Sequence, residues 1–142
     1  MKAWVWLYAP AIAYAALLYW LSDQPTLQHA PSNDKLAHLV AYAGLSALLF
    51  RAFYFGTDRS VSWVYLLAAL LGTLYGISDE LHQSYVPGRT AAVDDVVADA
   101  IGALLGAGVL QLCYAQLGRW AKTGGPRVRR FTSWALRVTR AP

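Results

Sequence analysis

The chain has 142 residues, 57% of them hydrophobic and only 14% charged, with a formal net charge of +4. A soluble domain this small has no need of so much apolar surface, which argues against an ordinary globular enzyme and for a membrane protein. The single cysteine, Cys113, excludes an intrachain disulfide and a zinc site built on cysteine pairs.

In chain order, Ala3 to Leu21 is 19 residues without a charge. Lys2 before it and Ala11-Ile12-Ala13 within it resemble a signal peptide with a cleavage site. The apolar stretch is too long for a signal core and runs past that site, so a retained signal anchor is expected. Leu36 to Phe50 is apolar apart from His38 and a few small polar residues, and continues past Arg51 to Phe55. Val61 to Ile77 is 17 uncharged residues, and Val96 to Leu117 is interrupted only by Asp99 and two glutamines. A spanning helix takes about 20 residues, roughly 17 to 25. The prediction is an all-α, polytopic membrane bundle of four transmembrane helices, with a reactive loop between the third and fourth segments. Gly72 and Gly76, and Gly102 and Gly106, are small residues at the spacing that lets helix backbones approach. Packing within one bundle is the expected use, ahead of a dimerisation face.

Lys/Arg counting sets the expected orientation. With both termini inside, the inner pieces hold ten cations (Lys2, Arg51, Arg59, Arg119, Lys122, Arg127, Arg129, Arg130, Arg137, Arg140) and the outer loops two, Lys35 and Arg89. Trp4, Trp6, Trp63 and Trp120 mark inner ends and Trp20 an outer one. Seven of the eight acids then fall at or near the outer face, with Asp58 inside. Residues 1–118 read as the four-helix transmembrane domain and 119–142 as a basic cytoplasmic tail. In that tail Val128, Phe131, Trp134, Ala135 and Val138 recur at helical spacing, flanked by Arg127, Arg130 and Arg137. This pattern predicts a short interfacial helix on the anionic inner leaflet. A disordered basic tail is the alternative, and nucleic acid is a poor partner for so apolar a segment.

Polar residues concentrate at the outer ends of three helices. Lys35, His38 and Tyr42 are spaced by three and four and share a face, with Gly44 and Ser46 a turn deeper; so do Gly76, Glu80 and Gln83, and Asp95, Asp99, Gly102 and Gly106. Such patches must converge on one another or on a water-filled recess, because lipid penalises unpaired polar groups by several kcal/mol each. An ion-pair cluster stapling the helix ends, with Arg89 as a fork between carboxylates, is the structural reading. Asp79 and Asp94 are expected to be solvated helix-end acids and His82 to be exposed; His29, in a Pro-flanked loop, carries little information. No metal or other cofactor is expected, since no His-Glu-x-x-His pattern is present. A divalent metal on His38, Glu80 and Asp95 is the alternative left open. No serine-hydrolase elbow or nucleotide-binding glycine loop is present either.

The pattern Asp34-Lys35-x-x-His38-x-x-x-Tyr42, Asp79-Glu80-x-x-Gln83 and Pro87-Gly88-Arg89, followed by Asp95, Gly102 and Gly106, resembles the VanZ-like family of small bacterial membrane proteins. The resemblance covers about residues 30 to 112. It implies a multi-pass protein of the bacterial cytoplasmic (inner) membrane, in which Lys35, His38, Glu80, Gln83, Arg89 and Asp95 stand at motif positions. The founding member is associated with low-level resistance to teicoplanin, a lipid-bearing glycopeptide, whereas most members are not resistance determinants. Asp99 stands where the pattern often has Asn, which adds an anion to an acidic recess. The basic tail lies outside the pattern.

Two function classes follow. In the first, an outer recess formed by Lys35, His38, Tyr42, Glu80, Gln83, Arg89, Asp95 and Asp99 binds the head group of a lipid-linked cell-envelope molecule, cations facing phosphate or carboxylate. In the second, the same face is a hydrolase or transferase on an envelope lipid, with Glu80 or Asp95 as general acid/base, His38 shuttling protons and Arg89 stabilising negative charge. A small transporter using Asp99 as carrier would have to oligomerise, and a homo-oligomer is left open; a purely structural assembly factor is the remaining reading.

Overall fold

The computed structural model describes residues 2–24 and 34–139, with side chains described for 5–24 and 35–133. His29 and Arg140 lie outside the described residues, as do the side chains of Lys2, Trp4, Asp34, Trp134, Ala135, Arg137 and Val138. Five helices follow in order: α1 (Lys2–Ser22), α2 (Asp34–Gly56), α3 (Val61–Gln83), α4 (Val93–Thr123) and α5 (Pro126–Thr139). The first four are long and apolar enough to cross a membrane. The all-helical, four-span expectation therefore holds.

The helices are inside out relative to a water-soluble bundle. On α3, Leu66, Leu70, Leu74, Ile77 and Leu81 are exposed, while Gly72, Gly76, Asp79, Glu80 and Gln83 are buried. Against lipid tails an exposed leucine costs nothing, and a polar side chain must turn inward. Trp6, Trp20, Trp63 and Trp120 are likewise exposed at helix ends, where amphipathic rings suit a membrane interface.

α2, α3 and α4 form the centre; α1 lies on α2 and touches α3, without meeting α4 among the described residues. The closest approach is between α2 and α4. A Cβ added at Gly102 would collide with the Leu39 carbonyl oxygen, and one at Gly106 with that of Ala43. Gly72 faces Ala103 and Ser46, and Gly76 faces Asp99. The glycine stripes are thus used within the bundle, as small residues at this spacing allow. Ser46 Oγ donates to the Ala68 carbonyl at 2.9 Å and ties α2 to α3; Tyr75 OH donates to the Ala15 carbonyl at 2.7 Å and ties α3 to α1. At the end where α2 finishes and α3 begins, Phe50, Tyr54, Phe55 and Tyr114 form an aromatic cluster, with the Tyr54 and Tyr114 rings stacked 5.0 Å apart.

Helix boundaries depart from the sequence reading in two places. The third apolar segment does not end at Ile77: α3 continues through Ser78-Asp79-Glu80 to Gln83, so most of the expected reactive loop is helix. Buried side chains on its inner face keep that last turn packed, and the true connection is only 84–92. α4 runs past Gly118 to Thr123, where Gly124 ends it and Pro126 opens α5. Arg129 turns back to donate to the carbonyls of Gly124 (2.7 Å) and Lys122 (3.1 Å), satisfying the exposed end of α4.

A Gly106→Val substitution should force α2 from α4 and lower thermal stability in detergent, by about 1–3 kcal/mol as for an overpacked core. Gly118→Ala, where an added Cβ meets nothing, should leave the melting temperature unchanged. Equal melting temperatures for Gly106→Val and wild type would show that the contact is not tight.

Candidate functional site

At the end of the bundle where α1 and α3 finish and α2 and α4 begin, the polar residues meet around His38. The α3–α4 connection is shaped first by Val86-Pro87-Gly88-Arg89. Arg89 N–H donates to the Val86 carbonyl at 3.1 Å, and Gly88 takes φ 82°, as the third position of a tight turn after proline requires. α4 then starts at Ala92, which has no capping side chain of its own. Glu80 supplies the cap from α3: its Oε2 accepts the Ala92 N–H at 3.0 Å. Asp94 and Asp95 in the first turn add favourable charge at the positive end of the helix.

On one side of His38 lies a carboxylate cluster. His38 Nδ1 is 3.0 Å from Asp99 Oδ1 and 3.9 Å from Glu80 Oε1. One donor atom from each of His38, Glu80 and Asp95 falls within 4.8 Å of the others. Glu80, Asp95 and Asp99 are all buried, Asp99 completely. Of the sequence-predicted residues, His38, Glu80, Asp95 and Asp99 are therefore brought together.

On the other side, between α1, α2 and α3, is a recess of about 300 Å³ lined by Leu18, Leu21, Ser22, Ala37, His38, Ala41, Tyr42, Asp79, Gln83 and Arg89. Four polar atoms on its wall are buried with no hydrogen-bond partner among the described residues: Ser22 Oγ, Tyr42 OH, Asp79 Oδ1 and Arg89 Nε. The Tyr42 ring stacks parallel to that of His38 at 6.4 Å, and its hydroxyl faces Asp79 without closing a hydrogen bond of normal geometry. Asp79 Oδ2 accepts from Gln83 Nε2 at 3.1 Å. An apolar groove of about 470 Å³ between α1 and α2 continues from this recess; the two share Leu18, Leu21, Ala37 and Ala41.

Several expectations need correcting. Asp79 is not a solvated acid but is 7% exposed and faces the recess; the buried turn that extends α3 carries it inward. Its spacing of three from Gly76 and four from Gln83 was the available signal. Arg89 does not clamp carboxylates. Its guanidinium donates to the Ser22 carbonyl at 3.4 Å, because the turn at Gly88 aims it toward the end of α1, and among the described residues it forms no ion pair. Lys35 does not join Arg89. It is exposed outside the recess, where it pairs with Asp94 and lies 3.7 Å from Asp95. Asp94 is thus exposed but paired. His82 is only partly exposed: it stacks on Tyr19 at 4.6 Å and lies 3.4 Å from Asp23. Ser22 had no signal in the sequence, since only the fold brings the end of α1 beside Arg89.

These features define a multi-span helical membrane protein in which a buried carboxylate cluster and a polar recess meet at a histidine at one end of the bundle. The chain belongs to the VanZ/LLP1 family, whose model matches residues 6–114. The match takes in most of α1, which the sequence motifs alone leave out, and stops short of α5. No curated protein and no solved structure matches the chain.

Glu80 should be separable into a capping and a chemical role. Glu80→Ala removes the acceptor for Ala92 N–H and should cost about 0.5–2 kcal/mol, as lost caps do, with faster amide hydrogen exchange over residues 92–96. Glu80→Gln keeps an acceptor and should exchange like wild type. Equal protection in both variants would show that the cap is immaterial.

Proposed function

We propose that the recess binds the head group of a lipid-linked cell-envelope molecule while the adjoining groove takes part of its chain. The carrying observation is the junction of the two: a polar recess with four buried, unpartnered polar atoms opening into an apolar groove on the lipid-facing side of the bundle. Unsatisfied groups of this kind are costly in a low-dielectric site and gain most from a ligand that pairs with them. Arg89 suits a phosphate or carboxylate. Asp79, Gln83, Tyr42 and Ser22 suit hydroxyl, amine or amide groups. Lys35 lies outside the recess lining, beside Asp94 and Asp95, and takes no part in this pose. Lys/Arg bias supports placing the recess at the outer leaflet of the cytoplasmic membrane. There a bound cell-wall precursor would be within reach of glycopeptides such as teicoplanin. At the opposite end, Val128 and Phe131 on α5 are exposed beside Arg127, and they support a resting place on the anionic inner leaflet.

A catalytic reading has one observation in its favour. The His38–Asp99 contact is an imidazole oriented by a buried carboxylate, next to Glu80 and to the recess. Turnover would change the mass of the bound species on incubation, and Glu80→Gln would stop that change while binding persists.

Native mass spectrometry of the detergent-purified protein should reveal saturable binding of a phosphorylated envelope lipid. Arg89→Ala and Tyr42→Phe should each weaken it roughly ten-fold, about 1.4 kcal/mol. Equal retention by wild type and both variants would remove the recess from the binding site. Orientation is tested separately: with Cys113→Ser as background, Tyr85→Cys, at a residue 79% exposed on the α3–α4 connection, should react with a membrane-impermeant maleimide added to intact cells. Labelling only after lysis would invert the topology.

A further inference from the structure

The His38 cluster holds more negative charge than the chain around it balances. Asp79, Glu80, Asp95 and Asp99 are all buried at this end. The cationic groups near them compensate them only in part: Lys35 is exposed, paired with Asp94 and 3.7 Å from Asp95, Arg89 donates to the Ser22 carbonyl, and one imidazole, His38, faces Asp99 and Glu80. Carboxylates gathered in a lipid-embedded bundle are costly unless a cation compensates them.

The geometry points to a divalent-cation site formed by a ring nitrogen of His38 and one carboxylate oxygen each from Glu80 and Asp95. Their donor atoms lie within 4.8 Å of one another, so side-chain rotation can bring them to the roughly 2.0–2.2 Å ligand distances of a small dication. Glu80 is already divided between two tasks. Oε2 is held by the Ala92 N–H, and Oε1 is left buried, without a hydrogen-bond partner, 3.9 Å from His38 Nδ1. Asp99, completely buried and 3.0 Å from Nδ1, holds the imidazole beside Glu80; a cation taken up on Nδ1 replaces the hydrogen bond to Asp99. One nitrogen and two carboxylate oxygens suit Mn²⁺ or Zn²⁺, and a softer thiolate-seeking ion is disfavoured.

The site shares His38 with the head-group recess. Three protein ligands leave coordination positions open, so a phosphate bound in the recess can complete the shell. This deepens the head-group reading and names phosphate as the group recognised, but the metal site stands on its own residues.

The test uses the full-length protein in detergent, stripped with EDTA and titrated with MnCl₂. Wild type should bind one Mn²⁺ per chain, and its electron spin-echo modulation should carry the ¹⁴N coupling of one histidine. Asp95→Asn and Glu80→Gln should each weaken binding by at least roughly ten-fold, the lower bound for losing even an outer partner. Asp58→Asn, at the far end of the bundle, should bind like wild type. No stoichiometric Mn²⁺ on folded wild type, or bound Mn²⁺ without ¹⁴N coupling, overturns the proposal whether or not the variants fold. Lipid binding is then measured with and without Mn²⁺. Lipid bound equally well in EDTA, with no Mn²⁺ taken up, would sink the metal site and leave the head-group reading intact. Mn²⁺ bound with no lipid taken up in either condition would do the reverse.

Discussion

The contact between the backbones of α2 and α4 sets everything at the functional end. Gly102 and Gly106 let the carbonyls of Leu39 and Ala43 lie directly against α4. One residue before each carbonyl stands a side chain of the site, His38 and Tyr42. About a turn before Gly102 and two turns before it stand Asp99 and Asp95. Close backbone approach therefore brings the imidazole to Asp99 at 3.0 Å. Any larger side chain on the glycine stripe would part the histidine from its carboxylates. Packing by small residues is the ordinary means of holding helices together in lipid, where burying apolar surface gains nothing.

Lipid also explains why so many polar groups share one place. A carboxylate within a span would face hydrocarbon if it pointed outward, so Asp79, Glu80, Asp95 and Asp99 are turned inward and must find partners there, while Asp94 in the first turn of α4 stays exposed. Part of the demand is met structurally. Glu80 caps α4, Gln83 donates to Asp79, and Ser46 and Tyr75 tie helices through backbone carbonyls. The remainder, on single atoms of Ser22, Tyr42, Asp79, Glu80, Arg89 and Asp99, is unmet among the described residues. A bundle built only for stability would be better served by apolar residues at those positions. Their excess is the physical argument for ligands. His38 stands between the two surplus regions, with the recess on one side and the carboxylate cluster on the other.

The opposite end is organised by different forces. Its interior is aromatic, around Phe50, Tyr54, Phe55 and Tyr114. Its rim is basic, and Arg129 is used to finish α4 rather than to face a partner. The two ends thus divide the labour, one buried and acidic, the other aromatic inside and cationic at the edge.

Much of this was legible in the sequence because its physics is local. Uncharged runs of 17 and 19 residues define spans whatever they pack against, and spacing by three and four assigns Lys35, His38 and Tyr42, or Asp95 and Asp99, to helix stripes. Those rules say which residues share a helix face; they do not say what the face meets. Only the tertiary structure decided that α1 closes the recess, that Arg89 turns to Ser22 rather than to a carboxylate, that Lys35 meets Asp94 and Asp95 outside the recess, and that Asp79 is buried. Each depends on the rotation and order of whole helices, set by glycine contacts and by one turn at Gly88. A change of one helix's rotation would alter every such pairing while leaving the sequence pattern the same.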